Sequence, residues 1–474
     1  MNDYEMTIGI ECHVQLATKT KLFSPADNDA RDAEPNSKTH PIDFGLPGML
    51  PILNREGVNL AIKAGKALNA DIARTSRFDR KHYFYPDLPK GYQTSQMYQP
   101  IILAGFVDAP LENGEFVRVR VHHAHMEEDA GKLTHYADHS LVDLNRAGTP
   151  LIEIVSEPDI HSAEAAKAYA TELYRLMTYA GVTHGDLYHG NMRFDVNISV
   201  AKKGSDTLGT RAEVKNLNSF RSVEKAAEYE FKRQVELLER GEKVVQETRG
   251  WDDVKQKTNS QRSKEDAEDY RYMPDADIPP IVLTDEEIAE IQGTLPKLPP
   301  QYREEFADLG VDKSVVNSIL AHREYAELIS NVLAASNAKS AKRVANWVAS
   351  NLTSDDDSAE VKVANVDDLL ELCDMTDTAQ ITSNAASELF NSLMNGERGP
   401  RKLAEARNLL QVSDEGEIAA IVDEVLADPA SAKAVADIRA GNDKAIGFLV
   451  GQIMKKSQGK ANPGLAQKLI RERL

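Results

Sequence analysis

Six prolines crowd a single stretch of this 474-residue chain and separate two different patterns of apolar residues. They are Pro274, Pro279, Pro280, Pro296, Pro299 and Pro300. Because proline fixes φ and has no backbone N–H, a stretch so rich in proline interrupts regular structure. Before it, short segments alternate apolar and polar residues as half-buried strands do, whereas after it Ala, Leu, Glu and Lys recur with helical spacing. We therefore predict a boundary within residues 273–300, between a sheet-rich first part and a helical second part.

The clearest strand pattern runs from Thr7 to Leu16. Every second residue is apolar and is expected to face a core: Ile8, Ile10, Cys12, Val14 and Leu16. Gly9, Glu11, His13 and Gln15 then share the other face. The segments that alternate similarly are Val117–His122, Leu151–Ser156, Phe194–Val200 and Arg211–Asn216. Turn-rich stretches separate these segments, which indicates an antiparallel sheet.

Two helices are predicted between these strands. One covers Ser162 to Ala180 and the other Ser222 to Arg240, and each is followed by a glycine that can end it, Gly181 or Gly241. Both have apolar residues at helical spacing and are interpreted as scaffold. The length of the whole chain favours two to four domains.

Composition limits the class of protein. Hydrophobic residues make up 41% and charged residues 28%, which is typical of a globular chain. No apolar run reaches the roughly 18 residues that a bilayer span needs, and the first residues lack the basic start of a secretory signal. We therefore expect no membrane association and a cytoplasmic location. Cys12 and Cys373 are the only cysteines, so neither a disulfide framework nor a cysteine-based zinc cluster is expected.

The net charge of −19 disfavours broad nucleic-acid binding, but the end of the chain is locally basic. Residues 444–474 contain seven basic residues and one acidic residue. The basic residues are Lys444, Lys455, Lys456, Lys460, Lys468, Arg471 and Arg473. A solvated helix face and a nucleic-acid footprint both fit this composition.

Acidic and histidine residues on the predicted strands are candidates for metal binding. Glu11 and His13 point the same way because they are two residues apart, although an exposed pair without a metal has the same pattern. The other acidic and histidine residues on or beside strands are His122, His123, His125, Glu127, Glu128, Asp129, Glu153, Asp195 and Glu213, and Lys215 lies on the polar side of the same strand as Glu213. If their faces join, the site is rich in hard oxygen ligands, which favours Mg²⁺ over Zn²⁺. The histidines also leave a zinc hydrolase open, but the His-Glu-x-x-His helix is missing.

A nucleotide would have to be held without a Walker motif, because Met126 and Leu133 replace the first Gly and the Ser/Thr of that pattern around Gly131-Lys132. The cations that could contact phosphates are Lys81, Lys90, Lys132, Lys215 and Arg262. The segment Phe78–Tyr92 interleaves aromatic residues with cations, which suits either stacking on the bases of single-stranded RNA or the packing of a hairpin.

Several long motifs occur in an order that closely resembles the B-subunit family of aspartyl/glutamyl-tRNA amidotransferases. In the first part they are Ile8–Leu16, Phe78–Tyr92, His125–Lys132, Val142–Asp159, Val214–Ser219 and Asp269–Tyr272; near the end they are Gly447–Gly451 and Gly459–Pro463. The resemblance extends over essentially the whole chain.

The resemblance implies an α+β fold with three domains. These are a cradle domain with an antiparallel sheet over residues 1–295, a helical domain over 296–405, and a small helical tail similar to YqeY proteins over 406–474. It also implies a cytoplasmic heterotrimeric ligase of protein biosynthesis, in which an amidase A subunit releases ammonia from glutamine and a small C subunit wraps the other two. The implied substrates are ATP and mischarged Glu-tRNA(Gln) or Asp-tRNA(Asn), with Mg²⁺ as cofactor.

The same resemblance assigns roles to residues. Glu11, His13, Glu127 or Glu128, and Glu153 match the metal-binding positions of the family. Asp195, Glu213 and Lys215 lie in matching catalytic motifs, and the basic tail gains tRNA as a partner. Some relatives bind a structural zinc through two cysteine pairs, but the corresponding positions are Ser24, Ala26, His40 and Asp43. Structural zinc is therefore not expected.

Two other classes of protein remain as competing hypotheses. One is a tRNA-binding scaffold whose carboxylates are only structural, which ATP-dependent formation of an acyl phosphate would exclude. The other is a stand-alone metal hydrolase, which would act without ATP.

Overall fold

The structure is a computed structural model that describes residues 3–263, 270–352, 362–411, 415–440, 442–457 and 461–474. The chain divides into two compact units, Met1–Gln301 and Tyr302–Leu474. The expected α+β class, with an antiparallel-rich sheet followed by helices, is confirmed. A further division of the helical part between residues 405 and 406 stays a prediction.

The described strands all lie in the first unit. They are β1 (Tyr4–Gln15), β2 (Thr75–Ser76), β3 (Asp79–His82), β4 (Tyr92–Ser95), β5 (Gly105–Pro110), β6 (Phe116–Glu128), β7 (Lys132–His135), β8 (Ser140–Asp143), β9 (Pro150–Ser156), β10 (Met192–Lys202), β11 (Ala212–Leu217), β12 (Glu247–Asp252), β13 (Lys257–Ser263), β14 (Arg271–Pro274) and β15 (Ile281–Val282). The first helices are α1 (Arg55–Ala67), α2 (Ala163–Tyr179), α3 (Phe220–Glu239), α4 (Asp285–Gly293) and α5 (Pro299–Phe306).

Eight of these strands form one sheet in the order β13-β12-β11-β10-β1-β9-β6-β5. Its neighbours pair antiparallel, except that β11 and β12 run parallel. β1 is a central strand between β10 and β9. Side chains on either face of β1 therefore have cross-strand neighbours on both sides.

The predicted alternation along β1 is confirmed. The buried residues are Ile8, Ile10, Cys12, Val14 and Leu16. They belong to a core that also contains the apolar faces of α2 and α3. Glu11 and His13 lie on the opposite face and are half-buried. The other predicted strands are also confirmed, as β6, β9, β10 and β11, although β6 continues to Glu128.

Both predicted helices form, and their ends follow local capping. Ser162 caps α2 by accepting a hydrogen bond from the backbone N–H of Ala165, and Gly181 follows the helix with a φ of +70°. The predicted start of α3 at Ser222 was wrong by two residues, because Ser219 is its N-cap.

Helix α1 was not predicted from the sequence. Gly57 and Gly65 lower its helix propensity, which obscures the pattern. The space around Gly65 accounts for one of these glycines, because an added Cβ would collide with the side chain of Ile72. Close packing of the helix on the core therefore overrides propensity.

The prediction that proline interrupts structure throughout residues 273–300 was partly wrong. Strands β14 and β15 and helix α4 form there. Thr284 and Glu287 make a reciprocal capping box at the start of α4, between the prolines at positions 280 and 296. The proline-free part of the stretch thus supports a short helix.

The second unit is helical in its described residues. Its helices after α5 are α6 (Lys313–Ile319), α7 (Arg323–Ala335), α8 (Ala338–Asn351), α9 (Val366–Asp377), α10 (Ser383–Met394), α11 (Pro400–Ala406), α12 (Glu415–Ala427), α13 (Ala432–Arg439), α14 (Ile446–Lys456) and α15 (Pro463–Arg473). The last four helices share a core of their own, in which Ile418, Leu449 and Ile470 are fully buried.

Candidate functional site

The face of β1 that carries Glu11 and His13 meets charged residues from both neighbouring strands. Asp195 of β10 lies opposite Glu11, and His13 lies between Arg193 of β10 and Glu153 of β9. We call this side of the eight-stranded sheet the polar face. Alternation along three adjacent strands therefore concentrates charge above an apolar core.

A β-bulge in β6 adds a histidine-rich segment to the polar face. The pairing of β6 with β9 shifts between Val121 and His123, which makes His122 the extra residue. One extra residue reverses which side chains point towards the core. Beyond the bulge, His125 and Glu127 contact residues of the polar face.

His13, Glu127 and Glu153 form a cluster that could hold a metal ion. The Nε2 atom of His13 lies 3.5 Å from Glu127 Oε1 and 3.5 Å from Glu153 Oε2. One ligand atom from each residue lies within 4.8 Å of the others. His125 completes the cluster, because its Nε2 is 3.4 Å from Glu153 Oε2 and 3.7 Å from Glu127 Oε2. We call these four residues the first cluster.

The charges of the first cluster are closely matched. Burial alone would lower the pKa of His13, but contact with Glu153 and the charge of Glu127 raise it to about 9. The same balance of burial against the two carboxylates raises the pKa of His125 to about 10. Burial opposes ionisation of Glu153, yet the two imidazoles hold its pKa well below its usual range. Both imidazoles are therefore protonated at neutral pH and neutralise the carboxylates.

Glu11, Asp195 and Glu213 form a second cluster beside the first, with ligand atoms again within 4.8 Å of one another. Lys215 Nζ lies 2.6 Å from Asp195 Oδ2 and 3.0 Å from Glu213 Oε1. The pKa of Lys215 is raised, because these carboxylates outweigh its burial. Burial and the neighbouring carboxylates, Glu153 first, raise the pKa of Glu11. Asn197 donates a hydrogen bond of 2.9 Å to Glu11.

Glu128 does not join either cluster. Its carboxylate forms an ion pair with Lys90 and accepts a hydrogen bond of 3.0 Å from the backbone N–H of Thr94. The side chains of Glu128 and Lys90 are 3% and 10% exposed, so this is a buried pair. Of the alternatives Glu127 and Glu128, the structure brings only Glu127 to His13.

The cations expected to contact ATP are not gathered at one place. Lys81 Nζ lies over the ring of Tyr270 at 4.5 Å from the centroid, and Lys90 is committed to Glu128. Lys132 is exposed and lines a different cavity of 550 Å³. The side chain of Arg262 lies outside the described residues.

A cleft of 310 Å³ opens beside the two clusters. Its lining residues are His13, Tyr83, Gln93, Glu127, Asp129, Ala130, Arg193, Phe194, Asp195, Lys215, Asn216, Leu217 and Asn218. Sequence reasoning missed Arg193, which alternates with Asp195 along β10 and therefore shares its face. That spacing of two was the available signal.

The aromatic residues of the segment 78–92 are partly buried in the core and partly exposed at the surface. Phe78 is buried and makes an edge contact with Phe23, whereas Phe84 and Tyr85 are 83% and 54% exposed. Arg80 lies 4.5 Å above the ring of Tyr92. Base stacking by the exposed rings stays a prediction.

The basic tail is partly neutralised by its own unit. Lys456, Lys468 and Arg473 pair with Glu424, Glu472 and Asp423, respectively. Lys444 and Lys455 are exposed, Arg471 lies near the end of α15, and Lys460 lies outside the described residues. The described tail therefore presents a mixture of paired and exposed cations.

An ion pair occupies the region where some relatives are expected to bind zinc. Lys21 Nζ lies 3.1 Å from Asp43 Oδ2, and their side chains are 0% and 4% exposed. Burial lowers the pKa of Lys21, although Asp43 opposes this shift. Asp43 also accepts the backbone N–H of His40, and the imidazole of His40 accepts the N–H of Ile42. These bonds fasten residues 40–43 to Lys21, which follows β1 in the chain.

Among the described helices, none combines the length and apolar character required to cross a bilayer.

Comparison with known proteins identifies the family to which this chain belongs. A family model described as the GatB/GatE catalytic domain matches residues 6–289, and one described as the GatB domain matches residues 328–474. The chain is 47% identical to the B subunit of the aspartyl/glutamyl-tRNA(Asn/Gln) amidotransferase of Alkalilimnicola ehrlichii, over 100% of this chain and 99% of the relative. The B subunits of the same enzyme in Persephonella marina and Carboxydothermus hydrogenoformans are 43% and 41% identical, over 100% of this chain and at least 99% of theirs. The chain therefore belongs to the family of aspartyl/glutamyl-tRNA(Asn/Gln) amidotransferase B subunits.

Proposed function

We propose that this chain activates the side-chain carboxylate of a mischarged tRNA by ATP-dependent phosphorylation, so that ammonia can convert it to an amide. The observation that carries this proposal is the pair of clusters joined through β1: Glu11 and His13 belong to different clusters, and each cluster contributes residues to the lining of one cleft. The family assignment supports the same reaction. The products are Gln-tRNA(Gln) from Glu-tRNA(Gln) and Asn-tRNA(Asn) from Asp-tRNA(Asn).

The proposed chemistry has two steps. A carboxylate oxygen of the substrate attacks the γ-phosphorus of ATP, and the bond from that phosphorus to ADP breaks, which gives an acyl phosphate. Ammonia then attacks the carbonyl carbon, the C–O bond to phosphate breaks, and inorganic phosphate departs with the proton that the nitrogen loses. ATP is required because phosphate leaves a carbonyl far more readily than oxide.

The first cluster fits a divalent cation of the Mg²⁺ class. Glu127 and Glu153 would supply carboxylate oxygens, and His13 would supply its imidazole after losing the proton that the two carboxylates stabilise when no ion is bound. These three residues would hold the ion, with His125 beside them. When bound, the ion offsets the negative charges of ATP and of the substrate carboxylate.

Lys215, which is paired with the second cluster, supplies a positively charged hydrogen-bond donor. Lys215 stays protonated at neutral pH because its two carboxylate partners raise its pKa. Lys215 lines the cleft, where its ammonium group can donate a hydrogen bond to the substrate carboxylate. Asp195 and Glu213 hold the amine in place.

The chain acts within a multi-subunit amidotransferase. We assign the release of ammonia from glutamine to an amidase A subunit and propose a small C subunit as the third component. The basic tail would contact the tRNA body through exposed cations such as Lys444 and Lys455. A reaction on tRNA for the ribosome fits a cytoplasmic location.

We further propose that this protein needs no structural zinc. The buried Lys21–Asp43 pair and the backbone contacts of Asp43 fasten the loop that would otherwise require a metal. Ser24, Ala26 and His40 complete a set without cysteine, which is a poor match to a structural zinc site.

The test is amidation of Glu-tRNA(Gln) by this chain assembled with its two partner subunits. Glu11→Gln and Glu153→Gln should each lower the rate by about 100-fold or more, because each removes a charged group from the clusters. Glu5→Gln is the matched control, since Glu5 lies on the same strand but is exposed outside the clusters. Wild-type rates in both cluster variants would refute the assignment.

The rival classes give different results in the same assay. A tRNA-binding scaffold would support no ATP consumption that depends on mischarged tRNA. A stand-alone hydrolase would act without ATP and without the partner subunits.

A further inference from the structure

Arg193 lies across β1 from the first cluster. It is the second residue of β10 and pairs with His13, whose other cross-strand neighbour is Glu153. Its side chain lines the cleft together with Glu127 and Asp195. The guanidinium group therefore faces the same space as the candidate metal ligands.

The described contacts of Arg193 use only a small part of its donor capacity. Its Nη2 donates to Asp129 Oδ2 over 2.9 Å, and this is the hydrogen bond that its side chain makes to the described residues. Asp129 is shared with Arg146, whose Nε lies 3.2 Å from the same oxygen. A guanidinium carries five N–H donors, so Nε and Nη1 of Arg193 retain donors for an anion. Its side chain is 34% exposed, which leaves it accessible.

Lys215 differs from Arg193 in the number of carboxylates that pair with its charged group. These two residues are the lysine and arginine side chains that line the cleft in the described part of the chain. The Lys215 amine is held between Asp195 and Glu213, so its charge is already matched by two carboxylates. Arg193 forms an ion pair only with Asp129 among the described residues, and Asp129 is also paired with Arg146. The charges of Glu127 and Asp195 act on Arg193 without a hydrogen bond to it, so its remaining N–H donors are available to an incoming anion.

We propose that Arg193 binds the γ-phosphate of ATP and keeps this contact while the phosphoryl group passes to the substrate carboxylate. This inference rests on the proposed function and adds a residue to it. The Pγ–O bond to ADP breaks as the bond from phosphorus to the carboxylate oxygen forms, and Arg193 exchanges no proton. Its role is to neutralise charge on the equatorial phosphate oxygens.

Phosphate fits this position better than the substrate carboxylate does. The first cluster is the candidate site for the cation that accompanies ATP, and Arg193 is the cross-strand neighbour of His13 in that cluster. A phosphate held at the first cluster would therefore lie beside the strand position of Arg193. The planar fork of arginine donates to two phosphate oxygens at once, which lysine cannot do.

The experiment compares nucleotide affinities by calorimetry, using the complex of this chain with its partner subunits in the presence of Mg²⁺. The ligands are ADP and an ATP analogue with a β,γ-imido bridge, which has the γ-phosphate but is not cleaved. Arg193→Gln should lower the affinity for the analogue by about tenfold or more, because the analogue has the γ-phosphate that Arg193 contacts. The affinity for ADP, which lacks this phosphate, should change by less than about twofold.

Two further variants make the comparison sharper. Arg193→Lys keeps a positive charge that can pair with Asp129, so this variant should fold normally. Its affinity for the analogue should fall less than that of the glutamine variant. Arg146→Gln removes a cation from the same carboxylate, but its guanidinium donates to the backbone of Ala130 and Gly131 and lines the other cavity. It should not change the ratio of the two affinities.

A selective loss for the analogue supports the proposal. Equal losses for both nucleotides, or no loss, would overturn it, because Arg193 would then be a structural partner of Asp129. A rise in KM for the aminoacyl-tRNA with unchanged analogue affinity would also overturn it in favour of a carboxylate contact. If the wild-type complex binds the analogue but does not phosphorylate its substrate, the proposed function fails while the affinity ratio still decides the role of Arg193.

Discussion

Glu127 and Glu128 are consecutive residues at the end of β6, and their carboxylates therefore lie on opposite faces of the sheet. Glu127 lies 3.5 Å from His13 on the polar face, and Glu128 forms a buried pair with Lys90. The bulge at His122 determines this arrangement, because it sets the direction of every later side chain of the strand.

This geometry predicts that the two glutamates differ in metal binding. Glu127→Gln should weaken Mn²⁺ binding by about tenfold or more, because it removes a charged oxygen ligand from the first cluster. Glu128→Gln should leave Mn²⁺ affinity within about twofold, because its carboxylate faces away from that cluster. Electron paramagnetic resonance of free and bound Mn²⁺ measures both. A loss only in the Glu128 variant would contradict the placement.

The loop between β1 and α1 should depend on an ion pair instead of a metal. Asp43→Ala should destabilise the protein by about 3–5 kcal/mol, because it leaves the Lys21 ammonium buried without a partner. Asp27→Ala is the control, since Asp27 pairs with Lys38 at the surface and should cost less than about 1 kcal/mol. Urea unfolding gives both values. Elemental analysis that finds one zinc per chain would contradict this account.

Glu247, a buried carboxylate on β12, should account for part of the stability that the protein loses at low pH. Burial opposes ionisation of Glu247, but hydrogen bonds from Ser260 and Arg249 lower its pKa below the usual value of 4.5. A carboxylate whose pKa is lowered on folding stabilises the protein above its unfolded pKa, and this contribution is lost as the pH falls through the folded pKa. Urea unfolding of Glu247→Gln should therefore show a smaller loss of stability than wild type between pH 5 and pH 3. Glu242→Gln, at an exposed position, should match wild type.

The exposed cations of the tail should contribute a salt-dependent part of tRNA affinity. Lys455→Gln should weaken binding and reduce the slope of log K against log salt by about one. Lys433→Gln is the control, because Lys433 is an exposed lysine within the acidic segment of the same unit. Filter binding at several salt concentrations measures the slope. Equal effects of both variants would show that the tail acts only through net charge.

The sequence was sufficient where a periodicity of two or of 3.6 runs without interruption. It predicted the face of β1 that carries Glu11 and His13, and it placed α2 within one residue at each end. It could not decide between Glu127 and Glu128, because one inserted residue reverses the pattern and nothing local marks the bulge.

Contacts between residues far apart in the chain account for other features that the sequence did not predict. The spacing of two residues places Arg193 on the same face as Asp195, but its position beside His13 follows from the pairing of β10 with β1, which lies about 180 positions earlier in the chain. The cations proposed for ATP were chosen by charge, and charge alone does not bring residues together. Helix α1 was missed because its two glycines lower its helix propensity, although close packing against Ile72 requires the one at position 65.

Transfer of a carboxylate oxygen to phosphate is the most direct test of the central claim. Glu-tRNA(Gln) in which both oxygens of the side-chain carboxylate are heavy is amidated by the assembled enzyme with ATP and glutamine, and the released phosphate is examined by mass spectrometry. Activation on this chain predicts one heavy oxygen in each inorganic phosphate, with the label lost in Glu11→Gln and retained in Glu5→Gln. Amidation that yields only unlabelled phosphate would contradict the account.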